Sequence, residues 1–411
     1  MKITYLSIGD ELLRGRIVNT NARMLAHLLR PAGFDIERIV TIEDNPLRIE
    51  EAVRTEMASA DVLIISGGLG PTKDDMTKHT LASLFGMKLV LHQPTLDFVE
   101  ARFQKAGIPM NEATRSQALV PSGCEVLANR QGTAPGMLFR QAEKMIFSLP
   151  GVPFEMEHLV RDAVLPRLLE LDGKSRYFLQ KTLRLNGIPE SEAAERLETI
   201  HGLFPANMKL SYLPRQDGLW LEFQASGPLA EKEQAGSFFE QIFDKIRAAV
   251  SDKIYAEGDE DLPVLLGRKL MEKGLSLATA ESLTAGLLAA RVVEVSGSSA
   301  YYKGGIIAYE TGQKTSLLDV PAELIREYGV VSKEVASAMA EGARKRLGAD
   351  IGLATTGIAE ADPESGTAPH AWIAVAGPEG TEPRHVRLYG DRNNARARCA
   401  DLLLVLALKL L

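Results

Sequence analysis

Residues 62–65, Val-Leu-Ile-Ile, are apolar without interruption and end at Ser66-Gly67-Gly68-Leu69-Gly70. A strand with no polar side has both faces covered, which happens chiefly in parallel sheets flanked by helices. The neighbouring residues fit that layout. Strand patterns at 3–8, 36–41 and 144–149 accompany helix patterns at 21–29 and 46–58, the first of these helices ending at Pro31 and Gly33. Such alternation predicts a doubly wound α/β domain, in which ligands gather at the carboxyl ends of the strands.

At 411 residues the chain is too long for one core, and its pattern changes twice. Strand-like stretches at 178–185, 209–212 and 219–225 mix with helices at 191–200 and 231–250, predicting a small α+β module with antiparallel strands. No catalytic cluster stands out there, so a spacer or dimerisation unit is expected. The acidic run Glu257-Gly258-Asp259-Glu260-Asp261 is expected to be a solvated linker, with Pro263 opening a helix behind it. The rest predicts another α/β unit, with strands at 276–280, 304–309, 351–355 and 371–376 and helices at 284–295, 335–347 and 394–410. The expected domains are therefore 1–170, 171–258 and 259–411.

A net charge of -7, with no long basic stripe, argues against nucleic acid as a partner, because phosphate neutralisation needs clustered Lys and Arg. Cys124 and Cys399 lie far apart in sequence and fit a reducing compartment rather than a disulfide. The opening residues run into Gly9-Asp10-Glu11 without an apolar leader segment, and the apolar run 402–411 is short and contains Lys409. A cytoplasmic protein with no membrane partner is expected.

Two segments carry chemistry. In Ser66-Gly67-Gly68-Leu69-Gly70-Pro71-Thr72-Lys73-Asp74-Asp75-Met76-Thr77, a buried strand delivers three glycines and a helix pattern follows from Thr77. Glycines let backbone N–H groups approach an anion, and the helix start adds free N–H groups and partial positive charge. Asp74 and Asp75 are placed to share a hard cation with a phosphate. The alternative is a tight turn in which Asp75 or Thr77 caps the helix. Asp10, after the first strand, is either a further metal ligand or a helix cap, and 150–156 forms a rigid turn at the same edge.

In the second segment, Ala280-Glu281-Ser282-Leu283-Thr284-Ala285-Gly286 joins a strand to a helix. Ser282 projects from the strand end, with helix N–H groups expected nearby to hold an oxyanion. Tyr309 and Lys314 follow downstream, and no histidine adjoins either motif. A desolvated lysine can serve as the base for a serine, so a Ser–Lys scheme is favoured over Ser-His-Asp. Taken alone, Ser282 also reads as a helix cap and Lys314 as a solvated surface residue.

The stretches Gly9 to Leu13, Gly15 to Asn21, Gly67 to Asp75 and Pro150 to Met156 together resemble the competence/damage-inducible protein A (CinA) family, over the whole chain. The resemblance implies an N-terminal MoaB/MogA-like three-layer α/β domain with metal-dependent ADP-ribose pyrophosphatase activity. Its implied site is Asp10, Gly67, Gly68, Gly70, Thr72, Asp74 and Asp75, with Mg, Mn or Co as the divalent metal. It also implies a C-terminal α/β domain similar to nicotinamide mononucleotide deamidases. There Ser282, Tyr309 and Lys314 would be catalytic, and Thr284, Thr356, Gly357 and Arg392 would bind ligand, Arg392 at its phosphate.

The sequence departs from the family at Leu283 (usually cysteine), at Ala285 (usually glycine) and in 360–366, where a glycine-rich loop is replaced by one with three carboxylates. If that loop faces the pocket, its charges disfavour an anionic nucleotide. Expected partners are small-molecule nucleotides, ADP-ribose and also nicotinamide mononucleotide, and the expected assembly is a homo-oligomer, a dimer. Three functions stay open: a two-site nucleotide hydrolase, an enzyme active only in its N-terminal domain with the rest a scaffold or sensor, and a pterin- or nucleotide-binding module.

Overall fold

The strand Val62–Ser66 is buried along its whole length because it lies inside a six-stranded sheet with helices on both sides. The computed structural model describes residues 1–72, 75–173, 176–361 and 366–411. These divide into two units, Met1–Leu179 with Ala225–Ser237, and Gln180–Gln224 with Phe238–Leu411.

In the first unit the strand order is Ile36–Ile42, Ile3–Ile8, Val62–Ser66, Lys144–Leu149, Gly136–Gln141, Glu125–Leu127. The first four run parallel and the last two join antiparallel. Alternate side chains feed separate cores. Ile64 and Tyr5 pack with Leu25 and Met156 from the helices Thr20–Leu29 and Pro153–Leu159. Leu63 and Ile65 pack with Ile49 and Leu81 from Pro46–Ser59 and Thr77–Leu84. The result is the expected three-layer domain.

The second unit holds a five-stranded sheet in the order Tyr302–Ile307, Leu277–Glu281, Ile351–Ile358, His370–Gly377, Gly380–Arg387. The first three strands are parallel. The last two form an antiparallel hairpin. The helix Lys333–Arg346 turns its small side inward, as its Ala and Gly spacing predicts. Contact is close enough that a Cβ on Gly352 would lie 2.1 Å from the Ala340 carbonyl oxygen. The helix Arg392–Leu410 covers the other face with Cys399, Leu403 and Leu404.

The segment from Arg176 to Glu257 builds a four-stranded sheet, ordered Met208–Arg215, Gly218–Pro228, Arg176–Leu185, Ile254–Glu257, with helices Glu190–His201 and Lys232–Ala249. Ile254–Glu257 pairs antiparallel with 183–185, as expected. The acidic run at 257–261 is more than a solvated linker. Glu257 ends a strand and pairs with Arg247, and the Glu260 carbonyl accepts from Arg184 Nη1 at 2.5 Å. Asp261 precedes the helix Leu262–Lys273, which has Pro263 in its first turn.

Arg184 is 2% exposed and stacks on Trp220 at 4.1 Å, while Asp217 accepts from Arg184, from the Trp220 indole and from the Tyr255 hydroxyl at 2.5 Å. Burial, with Asp217 adding to it, pushes the Tyr255 phenol up. Among the described residues, no helix is long and apolar enough to cross a membrane.

Replacing Asp217 by Ala strands the buried guanidinium. The expected cost is about 3–5 kcal/mol in denaturant unfolding. Asp217→Leu combined with Arg184→Met should recover most of that loss, since it removes both charges.

Candidate functional site

Four parallel strands of the first unit end at one rim, and their connections carry most of the N-terminal candidates. Gly9 N–H donates to Ile42 O at 3.0 Å and Gly67 N–H to Leu149 O at 3.2 Å, tying the rim together. Gly67 and Gly68 have φ of 107° and 64°. A Cβ on Gly67 would lie 2.2 Å from Ile8 O, and one on Gly68 would lie 2.2 Å from Thr77 Oγ1, so only glycine fits either position.

Asp10 is the first residue of the one-turn helix Asp10–Leu13, not its cap, and is half exposed. Its Oδ1 accepts from Asp44 N–H at 3.2 Å and its Oδ2 from Arg14 at 2.7 Å. Asp75 turns back on its own loop, accepting from Thr72 N–H at 2.9 Å and from Thr72 Oγ1 at 2.5 Å. That bond engages Thr72, and Asp75 sits 2.6 Å from where a Gly70 Cβ would be. Asp74 lies outside the described residues. Among those described, no three His, Cys, Asp or Glu side chains converge as a metal-binding group.

Two buried polar atoms point to a ligand at this rim. Thr77, wholly buried, has its Oγ1 beside Gly68 without a hydrogen-bond partner. Asn21 donates to Gly151 O at 2.8 Å and leaves Oδ1 buried and likewise unpartnered. A buried hydroxyl and amide without partners cost free energy that a polar ligand or water would recover. Residue pattern alone does not single out the open polar atoms of Asn21 and Thr77. Only their position after strand ends marks them, and helices and turns use the same residue types there.

The C-terminal candidates meet at the rim of three parallel strands. Ser282 follows Leu277–Glu281, and its N–H donates to Thr355 O at 3.0 Å. Lys314 comes from the helix Thr311–Leu318 and is wholly buried, not a solvated surface residue. Its Nζ donates to Ser282 Oγ at 3.0 Å and to Ala308 O at 2.9 Å. Burial lowers the Lys314 pKa, while Glu310 pulls the other way. Thr284 and Thr355, also buried, share a hydroxyl hydrogen bond of 2.8 Å behind the serine.

Of the other expected ligand contacts, Thr356 gives its hydroxyl to Val330 O at 2.9 Å. Gly357 lies in the sheet, where a Cβ would come within 2.5 Å of His370 O. Arg392 holds the Tyr309 hydroxyl at 3.0 Å and Glu360 at 3.1 Å. Most of the altered loop, 362–365, lies outside the described residues.

The helix expected at 284–295 is observed at Leu287–Val293. Its first N–H groups are not free for an oxyanion, because the buried Glu281 carboxylate accepts from Gly286, Leu288 and Ala289 at 2.8–3.0 Å. The turn between holds Ala285 at φ 48° and Gly286 at φ 92°. A left-handed alanine costs on the order of 1–2 kcal/mol, which the carboxylate bonds offset. The N–H groups of Leu283, Thr284 and Ala285 donate to no acceptor among the described residues.

Comparison with known proteins gives three family matches along the chain. Residues 4–170 match a profile described as a probable molybdopterin binding domain, 180–256 the damage-inducible protein CinA KH domain, and 259–411 the CinA C-terminal domain. A CinA-like protein of Flavobacterium psychrophilum is 38% identical over 92% of this chain and 91% of its own. One from Citrifermentans bemidjiense is 39% identical over 97% and 94%. The crystal structure of CinA, of unknown function, from Thermoplasma acidophilum is 32% identical, covers 42% of this chain and 97% of its own, and has a TM-score of 0.37.

Glu281→Gln leaves one acceptor oxygen for three donors. Hydrogen exchange at Gly286, Leu288 and Ala289 should then accelerate by roughly tenfold or more, the equivalent of one lost charged hydrogen bond. Unchanged protection would show that the turn is held by something else.

Proposed function

The chain belongs to the CinA family, and we propose that its C-terminal domain is a serine–lysine amidohydrolase acting on the carboxamide of a nicotinamide nucleoside or nucleotide. The observation that carries this is the buried Lys314 amine 3.0 Å from Ser282 Oγ. Desolvation favours the neutral amine, which then accepts the serine proton instead of donating. The oxygen attacks the amide carbon, and the resulting oxyanion meets the N–H groups of the 283–285 turn. Lys314 returns its proton to the departing nitrogen, so ammonia leaves and an acyl-serine remains. Water then attacks that ester, Lys314 taking its proton and passing it to Ser282 as the carboxylate is released.

A second activity is proposed for the N-terminal rim, hydrolysis of a diphosphate such as ADP-ribose. It is supported by the unpartnered Thr77 hydroxyl and Asn21 oxygen beside two obligatory glycines. The divalent metal of this reading would draw on Asp10, Asp74 and Asp75. The described residues do not assemble that set, since Asp75 is bonded to Thr72 and Asp10 to Arg14. Purified protein should release AMP from ADP-ribose with added Mg, Mn or Co, and Thr77→Val should weaken the reaction by roughly tenfold or more. Absence of AMP under every metal abandons this activity.

Ammonia release from nicotinamide mononucleotide tests the first reading, and Ser282→Ala should reduce it by at least about a thousandfold. Its rate should rise with pH as Lys314 loses its proton, with the limb below the ordinary lysine range because burial lowers this pKa. Glu310 raises that pKa, so Glu310→Gln should move the limb to lower pH. Turnover that survives Ser282→Ala, or a limb that moves upward, contradicts the mechanism.

A further inference from the structure

Arg392 stands in the first turn of the helix Arg392–Leu410, behind its cap residue Asp391. Its guanidinium joins two groups: Nη2 donates to the Tyr309 hydroxyl at 3.0 Å, and Nη1 to Glu360 Oε2 at 3.1 Å. Tyr309 follows Ala308, whose carbonyl holds the Lys314 amine. The Tyr309 hydroxyl thus ties the guanidinium to the segment that supplies an acceptor to Lys314. One turn further along the helix, Arg396 donates to Thr284 O at 2.8 Å, two residues beyond Ser282, and its Nε is buried without a partner.

Glu360 leaves the third parallel strand just beyond Ile358 and is the one carboxylate paired with Arg392 among the described residues. Its carboxylate offers a guanidinium the same kind of acceptor oxygens that a phosphomonoester offers. The pair is about half exposed, with side chains 49% and 62% accessible, so it contributes little to holding the fold. Its consequence falls on the ligand. A phosphorylated ligand must displace Glu360 and then sit beside the freed negative charge. A ligand without the phosphate meets neither obstacle.

We propose that Glu360 is a specificity residue that occupies Arg392 in place of a ligand phosphate, so that the Ser282–Lys314 pocket takes a pyridine-carboxamide nucleoside in preference to its 5′-phosphate. The proposal rests on the amidohydrolase reading for the chemistry at Ser282, and on the Glu360–Arg392 contact for the discrimination. It corrects the substrate that the family resemblance implies while keeping the bond that is cleaved.

Full-length protein carrying Ser282→Ala, which binds without turnover, is titrated calorimetrically with nicotinamide riboside and with nicotinamide mononucleotide. The riboside should bind at least as tightly as the mononucleotide. Adding Glu360→Gln should shift the affinity ratio toward the mononucleotide by roughly three- to tenfold, and adding Arg392→Met as well should abolish that gain. A ratio that Glu360→Gln leaves unchanged overturns the proposal, as does the lack of binding by either ligand. Ammonia assays on protein with Ser282 intact separate the two claims. Ammonia release with an unchanged ratio removes only the discrimination. A shifted ratio with no ammonia from any variant removes the amidohydrolase and leaves the binding preference.

Discussion

Parallel strands covered on both faces leave their backbone one place to meet a ligand, the rim where strands end and loops begin. Both α/β sheets in this chain obey that constraint. Val62–Ser66 and Leu277–Glu281 are buried throughout, so neither can present chemistry along its length. Each instead delivers a turn at its carboxyl end, the glycine turn after Ser66 and the serine turn after Glu281. The position of both candidate sites follows from the direction of the sheet, before any side chain is considered.

The two rims are built differently. In the first, glycine removes the Cβ so that backbone can crowd the strand ends, and Thr77 and Asn21 are left with buried polar atoms that call for a partner. In the second, Glu281 consumes the helix N–H groups and in doing so holds the turn whose own N–H groups stay open. A buried carboxylate left unbonded beside Ser282 would cost free energy. Three backbone donors and full burial keep its charge directed at the helix.

Burial also sets the chemistry of Lys314. An ammonium in water is a poor base, whereas an amine without solvent and with a carbonyl and a hydroxyl as neighbours is held nearer neutrality. Arg392 is the opposite case, permanently charged and half exposed, and it takes whatever anion is nearest. Here that anion is Glu360, supplied by the chain itself. The two cations thus sit in different surroundings, Lys314 wholly buried and Arg392 half exposed.

The apolar run at 62–65, the strand–helix alternation and the Gly67-Gly68 turn are local features, and they alone specified a doubly wound sheet with a glycine turn at its strand ends. The motifs also singled out Ser282, Tyr309 and Lys314, and the fold puts Lys314 Nζ 3.0 Å from Ser282 Oγ. What residue order cannot express is which polar atoms satisfy one another across long separations. Glu281 capping a helix, Asp75 folding onto Thr72, Glu260 meeting Arg184, and Glu360 pairing with Arg392 over 32 positions were decided by packing. The reason is physical. Periodicity records how a side chain relates to its own element, whereas hydrogen-bond satisfaction and desolvation depend on what the rest of the fold places beside it.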